Sequence, residues 1–600
     1  MKQLSPPRPA VAAALFAAYF LALLLPPSWR TVEPFNVYTA FGLMAAGGIV
    51  WAWLAAGSVA FAFRGRDWLL LLVLFAAASA INLRPLLSGI PWRGDEDYHI
   101  YRTLWAIELL YIRQGPIVLA SAGLIVLSVF LAWRRSLLAV PALAVLLLCC
   151  LKTLPVDIHA EELLLRYPFL SRWLHMPLPF VAGLCGALYT EFTYRVVPFL
   201  CFVLLAWLCA RESRKHGFTA MLFLGLGVAT MPIVWYYSSI LYLEPPAVLL
   251  LTLVCLRADR LLSGDPAALR REPAWYALIL AGFIKESMFP VLACWLLVRA
   301  AVRLFPARGR GLAKALYSEA VIAFCVLFPL MVYLRLRPDT GIVQVYEPRL
   351  SNLADAVLYP ALLASFFEQF GVFFALFLAG LAVLFFKRSF GVAWFLTANL
   401  ILVPLFFIAD GPQYTGYSRF NLTLLPAVLA GALAALSALW DKAPRLGIIL
   451  LCLLLPANVL LSPINLDGTK KPFWGVYFDD TAEHYYPYAE TIAWLHETHP
   501  GASILFAGLS SGHPLVFYFE KEAWHPPFEA PINAHGKPGE LADLQAAAAR
   551  LGALDKAVIV FHPHPKGSNV PDSVGPFSLE KTFSNQAHSL YVYTRRENSP

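Results

Sequence analysis

Three consecutive carboxylates and a histidine, in Gly94-Asp95-Glu96-Asp97-Tyr98-His99, make the densest reactive stretch of this 600-residue chain. Residues Ile100 to Tyr111 behind them have helical apolar spacing, with Arg102 in the first turn. One carboxylate at the head of such a helix can take a proton from a hydroxyl nucleophile, and a pair such as Asp95 and Asp97 can hold a divalent cation. The same acids also suit a plain helix cap, because a helix N-terminus favours negative charge. A second stretch holds Asp157, His159, Glu161 and Glu162, then Arg166-Tyr167-Pro168-Phe169-Leu170, and ends on Glu191 and Arg195. Arg195 reads most simply as an anchor whose charged head snorkels to the membrane surface. Three further ionisable residues stand at the ends of apolar runs: Glu244 in Leu243-Glu244-Pro245-Pro246, Lys285 in Ile284-Lys285-Glu286-Ser287, and Arg419 in Tyr417-Ser418-Arg419-Phe420. Charged groups at membrane depth are functional candidates by default.

The elements that must position these residues are membrane helices. The chain is 59% hydrophobic and only 14% charged, too few charges for a soluble protein to cover its surface. A net charge of +8 does not indicate nucleic acid, because the cations are scattered between apolar runs instead of forming a phosphate-tracking groove. The nine Cys lie in or beside apolar segments, with no disulfide framework and no zinc spacing. Met1 to Pro27 resembles a signal peptide but lacks a convincing cleavage site, so it reads as an uncleaved first helix. At about 20 residues per crossing, the apolar runs predict about fifteen spans. They cover 10–26, 37–63, 68–86, 116–133, 137–154, 194–210, 218–236, 245–257, 273–285, 288–304, 316–334, 367–386, 391–408, 420–439 and 446–462. The short pair 273–285 and 288–304 reads equally as a broken or re-entrant hairpin.

Cations then set the orientation. Arg64/Arg66, Arg134/Arg135, Arg211 to Lys215, Arg257 to Arg271, Arg303 to Lys314, Lys387/Arg388 and Lys442/Arg445 fall on alternate connections, which the positive-inside bias assigns to the cytoplasm. The connections 87–115, 155–193, 237–244, 335–366 and 409–419, and everything after 463, then face outward and carry the acidic clusters. After 463 the composition changes, and nine of the thirteen His occur there. Helix signals at Thr491–Thr498 and Leu541–Leu551 and strand signals at Ser503–Gly508, Ala557–Phe561 and Ser589–Thr594 predict a small α/β domain. His562 and His564, without a third ligand nearby, read as a polar loop in preference to a metal site. The fold class is therefore a polytopic α-helical membrane protein of about 13–15 transmembrane helices. Residues 1–462 form the membrane part, with outer loops at about 87–115 and 155–193, and 463–600 a C-terminal extracytoplasmic α/β domain.

In order and sidedness these pieces resemble the GT-C glycosyltransferases, above all protein O-mannosyltransferases and the bacterial transferases that move aminoarabinose onto lipid A. In that family an Asp-Glu pair opens the first outer loop, matching Asp95-Glu96. A Pro-Pro-Leu-like element follows, here Tyr167-Pro168-Phe169-Leu170, and an Arg opens the next helix, matching Arg195. An acid in the second outer turn matches Glu244, a Lys in a Thr-Lys-Gly-like position matches Lys285, and a late Arg matches Arg419. The resemblance runs from about residue 85 to the end, through motifs that are weak one by one. Two features depart from it: three spans precede the Asp-Glu loop where the family has one, and 116–133 and 137–154 interrupt the loop. Asp157 therefore stands as the alternative to Asp95.

The resemblance implies a GT-C-like fold and a polyprenyl-phosphate-linked sugar donor. The acceptor is a hydroxyl on a lipid, glycan or protein, and the anomeric centre inverts. Asp95 is then the base, Glu96 its orienting partner, and Lys285, Arg166, Arg419 and Arg102 the candidate cradle for the donor phosphate; His99, His159, Glu191, Arg195 and Glu244 complete the site. No cofactor follows from the residues, with a divalent cation the one candidate. The implied location is multi-pass in a bacterial inner membrane, among membrane lipids and without nucleic acid. A lipid-linked glycan flippase or an oligosaccharide ligase is the competing expectation.

Overall fold

The structure, a computed structural model, describes residues 65–87, 100, 175, 178–179, 182, 189–269, 272–306, 310–336, 350–410, 418–462, 471, 487–508, 513–532, 541–563, 570–585 and 588–595. These residues are mostly helical, followed by a C-terminal sheet. The helical frame begins with α1 (Gly65–Leu87) and α2 (Glu191–Glu212), followed by α3 (Phe218–Ala229), α4 (Pro232–Tyr237) and α5 (Pro245–Leu256). Two short helices, α6 (Ala258–Ser263) and α7 (Pro266–Leu269), lead to α8 (Pro273–Ile284), α9 (Phe289–Leu304) and α10 (Arg310–Leu336). The frame closes with α11 (Leu358–Phe370), α12 (Val372–Phe386), α13 (Phe390–Asp410), α14 (Leu425–Lys442) and α15 (Pro444–Leu461). Among the described residues α2, α13, α14 and α15 are long and apolar enough to cross a membrane, and the bent pair α11–α12 makes a fifth.

Proline sets many of the starts. Pro232, Pro245, Pro273, Pro290, Pro426 and Pro444 occupy the first or second helical position, where the missing N–H has no helical acceptor to lose. Nine expected spans from 68–86 onward each meet one helix. Two more that fall on described residues, 218–236 and 367–386, are broken. The run 218–236 divides into α3 and α4, because Pro232 lacks a donor and Thr230 turns its hydroxyl back to the Leu226 carbonyl at 2.8 Å. Asn458 of α15 fills the break, donating to the Gly227 carbonyl at 2.8 Å. The run 367–386 instead starts at Leu358 and bends by 106° at Gly371, whose φ of 54° a side chain would disfavour. The expected spans 10–26, 37–63, 116–133 and 137–154 lie outside the described residues.

Packing is close where glycines meet. A Cβ on Gly380 of α12 would run into the Gly431 carbonyl of α14, so these two helices touch backbone to backbone, as helices in lipid often do. Phe366, Phe370, Phe374 and Phe377 form a ladder of rings beside that contact.

At the end of the frame carrying the short connections, ion pairs join neighbouring helices. Arg214 meets Asp67 at 3.1 Å, Lys215 meets Asp441 at 2.8 Å and Arg257 meets Glu212 at 3.2 Å. Arg299 is buried on Glu319 at 2.7 Å and also donates to the Leu261 and Gly264 carbonyls, which caps α6.

The opposite end carries the C-terminal domain. Its helices α16 (Tyr488–Thr498), α17 (His513–Lys521) and α18 (Leu541–Leu551) flank a six-stranded sheet. The strands are β1 (Ser503–Ala507), β2 (Phe528–Ile532), β3 (Ala557–Phe561), β4 (Ser573–Val574), β5 (Phe577–Ser584) and β6 (Ser589–Arg595), in the order β2-β1-β3-β6-β5-β4. β1 runs parallel to β2 and β3, whereas β6 pairs antiparallel with β3 and β5. Side chains alternate across the sheet as the pleat demands. Ile504, Phe506, Val558 and Val560 join one core with α16 and α17, and Leu505, Ala507, Ile559 and Phe561 join the other with α18.

Candidate functional site

Helices α5 and α8 run antiparallel, joined at the short-connection end by α6 and α7, and pack along each other. Glu244, the residue that starts α5, and Lys285, the residue that ends α8, therefore arrive at the same end of the frame, the end that bears the domain. Lys285 opens the 3-10 turn Glu286–Met288, which packs against the 3-10 turn Ser418–Thr423. The second turn carries Arg419 and also touches the head of α5. The Arg419 guanidinium stands 5.9 Å from the ring centre of Tyr242, two residues before Glu244, and 5.0 Å from that of Phe420. The elements that carry Glu244, Lys285 and Arg419, far apart in the chain, thus adjoin at this end. Tyr237 meets both Tyr236 and Tyr242 edge-on, at 5.0 and 5.4 Å.

The turn Ser238–Glu244, read as a short outer connection, is enclosed: its residues are between 0% and 6% exposed. The helical frame buries Ile240 and Tyr242 of this turn, and the domain covers Leu241. Leu241 is part of the same apolar core as Tyr488, Ile492, Phe517 and Trp524. Ile100 and Tyr194 belong to that core as well. Ile100, which follows His99 directly in the chain, thus shares one cluster with the head of α2 and the Glu244 turn.

Of the two candidates on α2, Arg195 behaves differently from the expectation. Arg195 is 0% exposed, so its charge is held within the protein and does not snorkel to a surface. Glu191 pairs with Lys521 of α17 at 2.6 Å, linking the membrane part to the domain. Asp95, Glu96, His99, Arg102, Asp157, His159 and Arg166 lie outside the described residues. Among the described residues, no group of three or more His, Cys, Asp or Glu is arranged to hold a metal. In the domain, His562 is buried with its ring 5.8 Å from that of His588.

A polar layer beside Arg419 was not anticipated. Asn421 donates its amide to Gln369 at 2.7 Å and to Ser365 at 3.3 Å, and Glu368 is buried on the same helix, α11. The opposite stripe of α11, Tyr359, Leu363 and Phe367, is exposed and apolar. A helix with its polar face inward and its apolar face outward suits a protein surrounded by lipid. Glu368-Gln369 inside an aromatic run was the signal available in the sequence.

Neither a protein-family model nor a curated protein matches this chain. Its chemistry is therefore argued from the site itself. Cations fixed at a membrane boundary, in surroundings of lower dielectric than water, hold an anionic group strongly. A carboxylate beside them can orient or deprotonate a hydroxyl.

Proposed function

We propose that this protein is a GT-C-like integral-membrane glycosyltransferase. It transfers a sugar from a polyprenyl-phosphate donor to an acceptor hydroxyl on the extracytoplasmic side, the side of its C-terminal domain. The observation that carries this reading is convergence. Glu244, Lys285 and Arg419 share one end of the frame, and Ile100, one residue after His99, is buried in the core that joins α2, the Glu244 turn and the domain. A donor whose tail stays in the bilayer presents its phosphate at that depth.

The chemistry divides simply. The leaving phosphate is a weak base and needs cations more than an acid, a task for Lys285 and Arg419, with Arg166 and Arg102 as further candidates. The incoming hydroxyl needs a base, for which Asp95 leads and Asp157 is the alternative, with Glu96 orienting. Direct attack by the acceptor breaks the anomeric C–O bond to phosphate from the opposite face and inverts the centre.

Broken helices favour a second reading, carrier movement without chemistry. The frame is interrupted at Thr230–Met231, Lys285 and Gly371, and transporters build their sites at such breaks. Reconstitution with a labelled prenyl-phosphate sugar separates the two. Transfer that disappears in Asp95→Asn, by about a hundredfold or more, supports the enzyme. Near-normal transfer in Asp95→Asn moves the base to Asp157, and carrier movement without a glycosylated product supports transport. Transfer in the presence of a chelator decides whether a divalent cation takes part.

A further inference from the structure

The C-terminal domain meets the membrane part through two matched contacts on one face of α17. Lys521, the last residue of that helix, donates to a carboxylate oxygen of Glu191 at 2.6 Å. One turn earlier the buried Phe517 lies edge-on to Tyr189 and Tyr194, at 5.9 and 6.3 Å between ring centres. The receiving residues occupy the head of α2, with Tyr194 three and Arg195 four residues beyond Glu191, on the same side of the helix. A single contact would tether the domain and leave it free to pivot. A polar and an aromatic contact one turn apart on both helices fix rotation and register as well.

The surroundings show what is being registered. The core containing Phe517 also holds Leu241, three residues before Glu244, and Ile100, one residue after His99. Among the described residues, the membrane-part members of this core thus each lie within a few residues of a candidate site residue. Glu191 is itself committed: its side chain is only 8% exposed and its charge is answered by Lys521, which is partly exposed. Removing Lys521 strands the Glu191 charge in a poorly hydrated position, whereas removing Glu191 leaves Lys521 with access to water.

We propose that the C-terminal domain is a working part of the site, and that Glu191 and Lys521 are positioning residues. They form a strut that holds the head of α2, and with it Arg195, in register with the Glu244 turn. The proposal rests on the transferase reading for its kinetic consequence and on the geometry alone for the strut. It removes Glu191 from the groups that touch substrate.

The test uses full-length protein in lipid nanodiscs, with a labelled prenyl-phosphate sugar as donor. Glu191→Gln and Lys521→Met are each expected to lower kcat about tenfold with little change in donor KM. The thermal midpoint should stay near the parent's. The double variant should be no worse than either single one, and the reversed pair Glu191→Lys with Lys521→Glu should recover most of the loss. Independently of activity, hydrogen exchange at the amides of Arg195, Val196, Val197 and Phe199, in the first bonded turns of α2 (Pro198 has none), should quicken in each single variant and slow again in the reversed pair.

Additive losses, unchanged transfer in the single variants, or quickened exchange without loss of transfer would overturn the proposal. A parent protein that transfers no sugar sinks the transferase reading only. The exchange arm then decides the strut, and indifference of the Arg195, Val196, Val197 and Phe199 amides to both substitutions would refute it.

Discussion

The two ends of the helical frame use the same kinds of charge to opposite ends. At the short-connection end ion pairs join neighbouring elements: Arg214 with Asp67, Arg257 with Glu212, Arg299 with Glu319. The geometry closes on itself, and its product is a set of fixed helix ends. At the domain end Arg419 stands over aromatic rings, amide side chains form a layer beside it, and Glu191 is answered from a separate domain. One end is thus fastened within the bundle, and the other is braced in part by the domain. That division is the lesson of the comparison, and it can be broken by substitution at either end.

The largest expected effect is on folding. The Arg299 and Glu319 side chains are only 1% and 9% exposed, and Arg299 also caps α6 through backbone carbonyls. Arg299→Met leaves a buried carboxylate and orphaned carbonyls, and should cost about 3–5 kcal/mol of stability. A drop in the thermal midpoint of the purified protein measures it, with donor KM unchanged in the fraction that folds. A specific rise in KM would mean that this end takes part in binding, and the division would fail.

Next comes the converse at the domain end. Lys285→Gln should lower sugar transfer by about a hundredfold, roughly 3 kcal/mol of transition-state stabilisation, while the thermal midpoint holds. Loss of stability in proportion to loss of transfer would make Lys285 a structural residue like those at the other end.

These two cases also show what the sequence could reveal. Apolar runs bounded by cations and prolines gave helix limits to within a few residues, as with 245–257 against Pro245–Leu256 and 391–408 against Phe390–Asp410. The common end of Glu244, Lys285 and Arg419 followed from alternation alone. The break before Pro232 and the bend at Gly371 were hidden because apolarity continues through both. In the domain, β1, β3 and β6 were legible as β-branched and aromatic runs, whereas α17 (HPLVFYFEK) is a strand-like aromatic string that is nevertheless helical. The inward face of α11 and the burial of Arg195 depend on which side of a helix meets protein and which meets lipid. Composition does not encode that choice. The acidic cluster at Asp95 to His99, the strongest signal in the sequence, lies outside the described residues and keeps its standing from the sequence.

A smaller effect should follow from the polar layer. Asn421 ties the turn bearing Arg419 to α11 through Gln369 and Ser365. Asn421→Leu leaves those two groups without this donor inside the protein, a cost of about 1–3 kcal/mol. If the layer serves the site, donor KM rises more than kcat falls, because Arg419 loses its position before the fold is lost. An equal loss in Asn421→Leu and in the short-connection variants, with KM unmoved, would assign the layer to the frame.

The smallest effect concerns pH and returns to the short-connection end. The His216 ring lies 4.6 Å from that of Trp440, next to the Lys215–Asp441 pair. Burial of the ring, helped by the neighbouring Lys215, lowers its pKa below the ordinary 6.5, while Asp441 opposes the shift. The folded state thus takes up this proton less readily than the unfolded chain. As pH falls through 6.5 the unfolded chain protonates first, so this contribution to stability is present at neutral pH. It shrinks on acidification, and levels off once the folded form is also protonated. His216→Phe keeps a ring against Trp440 and removes the titration. The difference in thermal midpoint between pH 7 and about pH 5 should therefore be smaller in the variant than in the parent. The rate of sugar transfer at neutral pH should be the same in both. A variant that alters transfer while leaving the pH slope intact would show that the two ends are coupled, and the functional division drawn between them would have to be abandoned.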